Sequence, residues 1–64
     1  MMHTIYSAPN RSAPAVRVYS FAGWDSRARA IKHSNVLAKA VPNREFSVVD
    51  EDGNVVFRVG RVGR

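Results

Sequence analysis

The strongest folding signal in this chain is a hairpin pattern in its second half. Two β-rich runs, Glu45–Asp50 and Asn54–Gly60, flank a short turn that contains Asp52-Gly53. Glycine adopts positive φ without strain, and Asp-Gly followed by Asn is typical of a tight hairpin turn. The segment therefore predicts two antiparallel strands. Alternation assigns these residues to the buried face: Phe46, Val48, Val55, Phe57 and Val59.

A helix is predicted over about residues 26–40. Asp25 is the candidate N-cap, because its carboxylate can accept hydrogen bonds from the free amides of the first turn. Pro42 ends the helix, since its ring would clash with the preceding turn. Small and apolar side chains fill one arc of the helix, and Trp24 falls near that side. The opposite, solvated arc carries the basic residues and a histidine: Arg29, Lys32, His33 and Lys39.

A further strand is predicted over about residues 15–21. Val16 and Val18 project to one side, and Arg17, Tyr19 and Phe21 project to the other. Residues 1–14 contain Ser-Ala-Pro twice and are predicted to be an extended or loop segment, with a possible edge strand over residues 3–6.

These elements predict an α+β fold with a single β-α-β-β domain over residues 15–60 and a basic tail over residues 61–64. One helix would cover one face of a three-stranded antiparallel sheet, or a four-stranded one if the N-terminal edge strand forms. The predicted strand order within the domain is 1-3-2, because the last strand is the most apolar and would be central. This order also makes every neighbouring pair antiparallel.

The small size of the chain limits what can stabilise it. With 64 residues and no cysteine, the chain forms at most one domain with a small core and has neither disulfides nor thiolate metal sites. Oligomerisation is the remaining reinforcement, so a homodimer is one prediction.

Charge is distributed unevenly along the chain. The formal net charge is +5. Residues 1–44 contain seven basic residues and one acidic residue, whereas residues 45–52 contain four acidic residues and no basic residue. Such a field favours an anionic partner.

Patterns that would indicate catalysis, a metal ion or a nucleotide cofactor are missing from the sequence. The two histidines stand in no local triad pattern, the acidic turn does not match a calcium loop, and the glycines form no phosphate-binding motif. The sequence therefore predicts a protein that is not an enzyme and has no cofactor or metal site. Without an apolar run of about 20 residues or a signal-peptide pattern, it is expected to be cytoplasmic and to have no membrane partner.

The leading functional prediction is electrostatic association with DNA or RNA. Arginines outnumber lysines eight to two, and a planar guanidinium suits phosphate contacts. The candidate nucleic-acid-binding residues are Arg27, Arg29, Lys32, Lys39, Arg58, Arg61 and Arg64.

The alternative prediction is a small protein-binding modulator or inhibitor. It would be an accessory or phage-type regulatory factor that docks on a larger, possibly nucleic-acid-processing, protein through its hairpin or through the sheet face that the helix leaves open. That open face is predicted to present Arg17, Tyr19, Val49 and Val56. The same face could instead pair two copies in a homodimer, or stack bases on Tyr19.

Overall fold

The computed structural model describes residues 1–10 and 12–60, which form four strands and one helix over these ranges. The α+β architecture is confirmed, since a single helix packs on one face of an antiparallel sheet. The elements are β1 (Met2–Ala8), β2 (Val16–Ala22), α1 (Ser26–Ala40), β3 (Glu45–Asp50) and β4 (Val55–Gly60).

The strand order is β2-β1-β3-β4, so the predicted order 1-3-2 is wrong. The N-terminal strand is not an edge strand over residues 3–6. It is a seven-residue strand that pairs antiparallel with both β2 and β3 and lies inside the sheet. The last strand, β4, pairs with β3 alone and forms an edge. Residues 2–8 thus belong to the folded domain.

The central position of β1 could not be predicted from its composition. His3, Ile5 and Ser7 are buried against the helix, and of these three only Ile5 is apolar. Period-2 alternation of hydrophobic and polar residues is the usual sign of a half-buried strand, and it is weak here. Two polar side chains take buried places because each has a hydrogen-bond partner: His3 with Ser26, and Ser7 with Arg44.

A β-bulge in β2 separates two side chains that simple alternation places together. Tyr19 lies opposite Ile5, whereas Arg17 lies opposite Tyr6, so one extra residue, Val18, interrupts the register. Residues directly opposite each other share a face. Tyr19 is therefore on the helix side with Ile5, and its predicted place on the open face is wrong; Arg17 is on the open face.

A second bulge lies in β4 and has the same effect. Phe57 is opposite Val48 and Val55 is opposite Val49, which leaves Val56 as the extra residue. Val56 packs against the core, while Val55 lies on the open face. The prediction had these two valines the other way round. Val49 keeps its predicted place on the open face.

The core is small and lies between α1 and the two central strands. Ile5, Ala30, Val48 and Phe46 are the buried apolar residues of the described chain, with 0–3% of their surfaces exposed. Burying a side chain of the size of Ile5, Val48 or Phe46 contributes roughly 1.5–3 kcal/mol. Partly buried side chains surround this core: Phe21, Ile31, Leu37, Ala38, Val56, Phe57 and Val59.

Helix α1 covers Ser26–Ala40, the range the sequence predicts. Its buried positions, Ser26, Ala30 and Ser34, recur every four residues and are all small, which lets the helix lie close to the sheet. The N-cap position is Asp25, but its side chain makes no capping hydrogen bond, and that part of the prediction is wrong. Trp24 is 90% exposed and does not join the buried side of the helix.

The β3–β4 turn is held by Asp50. Its Oδ1 accepts hydrogen bonds from the backbone amides of Asp52 and Asn54, each 2.9 Å long. The Asn54 amide is the main reason that the pKa of Asp50 is lowered from its ordinary value, because the hydrogen bond favours the charged carboxylate. Gly53 adopts φ +87°, as the Asp-Gly signal predicts.

Candidate functional site

The outer face of α1 carries a line of exposed cations, which we call the cationic stripe: Arg29, Lys32 and Lys39. At 100° per residue, Arg29 and Lys32 are about 60° apart around the axis, and Lys32 and Lys39 are about 20° apart. With a rise of about 1.5 Å per residue, the stripe extends over about 15 Å. The helix thus brings together three of the seven predicted nucleic-acid-binding residues.

Two of the other four candidates, Arg27 and Arg58, do not join the stripe. Arg27 is exposed but lies about 160° from Arg29 around the helix, near the arc of Ile31. Arg58 is exposed on the open face of the sheet, where it lies opposite Ser47. The predictions for Arg61 and Arg64 fall outside the described residues.

One ion pair is present in residues 1–10 and 12–60. Arg29 Nη1 lies 3.8 Å from Asp25 Oδ1, with both side chains more than one-third exposed. An exposed pair of this length contributes little. The other described acids form no ion pair with the stripe: Glu45 lies on the open face, and Asp50–Asp52 lie at the β3–β4 turn. Lys32 and Lys39 therefore have no acidic partner within the described part of the chain.

Three rings meet beside the stripe, at the edge of the sheet, and form what we call the aromatic cluster: Tyr19, Phe21 and His33. The Tyr19 and Phe21 ring centres are 4.8 Å apart in an edge-to-face arrangement. His33 contacts both rings, at 5.8 Å from Tyr19 and 5.6 Å from Phe21. The expectation that His33 is a solvated side chain on the outer helix face is therefore wrong, since it is half-buried against β2.

Arg29 belongs to the cationic stripe and also contacts the aromatic cluster. Its guanidinium carbon lies 5.1 Å from the centre of the Phe21 ring, a distance at which a cation is attracted to the ring face. An open groove of about 330 Å³ runs between α1 and β2, lined by Phe21, Arg29, Lys32, His33 and Val36. Aromatic and basic side chains therefore line one surface.

The sequence-based interpretation did not place these aromatic and basic side chains together, although part of the pattern is present in the sequence. Arg29 and His33 are one helical turn apart, and Tyr19 and Phe21 alternate on one strand face. What was missing is the bulge at Val18, which sends Arg17 to the other face and leaves Tyr19 beside the helix.

The open face of the sheet differs from the prediction, since Tyr19 and Val56 lie on the helix side and Val55 takes the place of Val56. Thr4 and Ser20 hydrogen-bond across β1 and β2 at 3.1 Å. A groove of about 500 Å³ crosses this face and is lined in part by Tyr6, Glu45, Ser47, Val49, Val55 and Arg58. The lining of this groove combines one acid and one arginine with alanine and valine side chains.

A buried serine–histidine pair connects the sheet to the helix. His3 Nδ1 and Ser26 Oγ are 2.7 Å apart, and Asp50 lies opposite His3 in the β1–β3 register. The Asp50 Oδ1 oxygen accepts the turn amides, and Ser26 and His3 are 0% and 4% exposed. Because a substrate cannot reach the serine hydroxyl, this pair serves the packing of α1 on β1.

Residues 1–10 and 12–60 lack two other kinds of feature. No group of three or more histidine, aspartate or glutamate side chains there could hold a metal ion. Within the same ranges, α1 is neither long nor apolar enough to cross a membrane.

Large apolar side chains are exposed where β1 begins and β2 ends. Gly23 donates a backbone hydrogen bond to the carbonyl of Met1, and Met2 lies opposite Ala22. The exposed fractions are 74% for Met1, 47% for Met2 and 90% for Trp24. We call this surface the apolar end.

Comparison of the chain with protein-family models, with curated proteins and with solved structures gave no match.

Proposed function

We propose that this protein is a small, non-enzymatic nucleic-acid-binding protein whose cationic stripe contacts the phosphates of DNA or RNA. The observation that carries the proposal is the segregation of charge. Arg29, Lys32 and Lys39 lie along one exposed helix face, and only Arg29 has an acidic neighbour among the described residues.

The dimensions of the stripe suit a phosphate backbone. Its length of about 15 Å corresponds to about four nucleotide steps of a strand, at 3.4 Å per nucleotide. Arg29 is partly oriented by the Phe21 ring, and the two lysines act as point charges. Three such contacts provide sequence-independent, salt-sensitive binding.

The proposal is tested by measuring affinity for a random duplex and a random single strand at several salt concentrations. Three phosphate contacts predict that log affinity for the duplex falls with log salt at a slope of about −2.7. The variant Lys32→Ala/Lys39→Ala should reduce the magnitude of that slope by about 1.8, because two contacts are lost.

The matched control is Arg17→Ala/Arg58→Ala on the open face. Either double variant lowers the formal net charge from +5 to +3, so a response to total charge alone would affect both equally. A loss of slope confined to the lysine variant supports the stripe. Equal losses would mean diffuse attraction, and absence of binding at low salt would refute the proposal.

A second candidate function is favoured by the apolar end. An exposed tryptophan beside two exposed methionines is typical of a protein–protein contact, where tryptophan is often a hot spot. The protein would then be a modulator of a larger protein partner. In that case Trp24→Ser would abolish partner binding, whereas the lysine variant would retain it.

A further inference from the structure

We propose that the aromatic cluster, beside the groove between α1 and β2, binds an unstacked base of a single-stranded nucleic acid, with Tyr19 as the stacking surface and Arg29 and Lys32 on the adjoining phosphates. This inference rests on the proposed function and specifies its ligand.

Tyr19 is the ring of the aromatic cluster that is most open to a ligand. It is 54% exposed, whereas Phe21 and His33 are half-buried. Its strand, β2, is an edge strand with β1 as its one neighbour in the described sheet, so no further strand covers its outer side. His33 and Phe21 contact the ring from the protein side and restrict its orientation.

Two cations lie beside Phe21 and His33, the two rings that contact Tyr19. Arg29 lies over the neighbouring Phe21 ring, and Lys32 lines the same groove as Phe21 and His33. A base stacked on Tyr19 would therefore have its phosphates near two positive charges. A stacking ring beside a basic groove is the arrangement by which proteins bind single strands without reading their sequence.

The chemistry distinguishes a single strand from a duplex. In a duplex the base faces are covered by neighbouring bases, so an internal base cannot stack on Tyr19. An unstacked base offers its π-face to an aromatic ring, and arginine guanidinium planes can also stack on bases. The aromatic cluster should therefore add affinity for single strands alone.

The test compares a single strand with an abasic strand of the same length, which has the same phosphates and no bases. The wild-type protein should bind the base-bearing strand about tenfold more tightly, at an unchanged salt slope. Tyr19→Leu should remove that preference, and Tyr19→Phe should keep it because the phenyl ring still stacks. The matched control is Tyr6→Leu, which removes the other tyrosine of the chain from the open face.

The outcomes separate this inference from the function on which it rests. Salt-dependent binding with equal affinity for both strands, or a preference that survives Tyr19→Leu, would overturn the stacking site and leave the stripe standing. Failure to bind any strand or duplex at low salt would overturn both. Circular dichroism of each variant checks that the fold is intact. Because Tyr19 is exposed, its substitution should leave the fold unchanged.

Discussion

Two serines of α1, Ser26 and Ser34, are completely buried, and their hydroxyls have different partners. Ser26 Oγ pairs with the buried His3 ring across the interface between helix and sheet. Ser34 Oγ donates to the carbonyl of Ile31, 2.8 Å away within the same helix. Loss of the first hydroxyl leaves a buried nitrogen unpaired, whereas loss of the second leaves a helix carbonyl that retains its backbone partner.

We therefore expect Ser26→Ala to lower the free energy of unfolding by about 1–3 kcal/mol, the usual cost of a buried polar group without a partner. Ser34→Ala should change it by less than about 0.5 kcal/mol, because alanine is the best helix former and no partner is orphaned. Urea denaturation of both variants measures the difference.

Each serine variant is the control for the other, since both remove one buried oxygen from the same helix face. Equal destabilisation would mean that the lost volume matters and the His3 contact does not. His3 had no role in the sequence-based interpretation, because its partner is 23 positions away in the chain.

At the level of elements, local signals were sufficient for α1 and the β3–β4 hairpin. Pro42 and the run of small and basic residues define the helix, and Asp52-Gly53 defines the turn. The strand order and the faces of β2 and β4 were not predictable in this way. Bulges at Val18 and Val56 depend on the register against a partner strand, which no local pattern specifies.

Gly53 and Gly60 both have positive φ, but they differ in the space that surrounds them. Gly60 has φ +105°, and a Cβ there would overlap the backbone carbonyl oxygen of Arg44. Gly53 has φ +87°, but a Cβ there would meet no atom within 4 Å. At both positions the positive φ is unfavourable for any residue other than glycine. Of the two, Gly60 is the position where an added Cβ would also clash with neighbouring backbone atoms.

Gly53→Ala should therefore lower the free energy of unfolding by about 1–2 kcal/mol, the cost of left-handed backbone for an L-residue. Gly60→Ala should cost at least about 1 kcal/mol more, because backbone atoms must move to admit the methyl group. Thermal or urea unfolding measures both. Similar costs at the two sites would mean that β4 ends farther from Arg44 than the structure places it.

At the scale of the whole molecule, the edge position of β2 and the bulge within it together create the candidate site. Because β1 and β3 fill the centre of the sheet, β2 lies at an edge, and its Tyr19 and Phe21 meet the side of α1 that carries Arg29 and His33. The predicted order also leaves β2 at an edge, but its unbulged alternation points Tyr19 at the open face, away from the helix. The juxtaposition of aromatic and basic groups thus follows from the bulge together with the edge position.

The same topology makes the first strand indispensable. A chain of residues 15–64 would lose Ile5 from the core and the strand that joins β2 to β3 in the described sheet. We expect it to show little secondary structure by circular dichroism and no cooperative unfolding in urea. A peptide of residues 1–14 added in trans should restore both, because it supplies the missing strand by backbone pairing.

An Ile5→Asp version of that peptide is the matched control, since it keeps the backbone donors and acceptors but places a charge where Ile5 is 0% exposed. It should fail to restore structure. Cooperative unfolding of residues 15–64 alone would instead support a self-sufficient three-stranded domain, the arrangement that the β-α-β-β pattern predicts. In the observed topology β1 lies between β2 and β3, whereas in the predicted topology the last strand lies between them. The unfolding of residues 15–64 therefore distinguishes the two topologies.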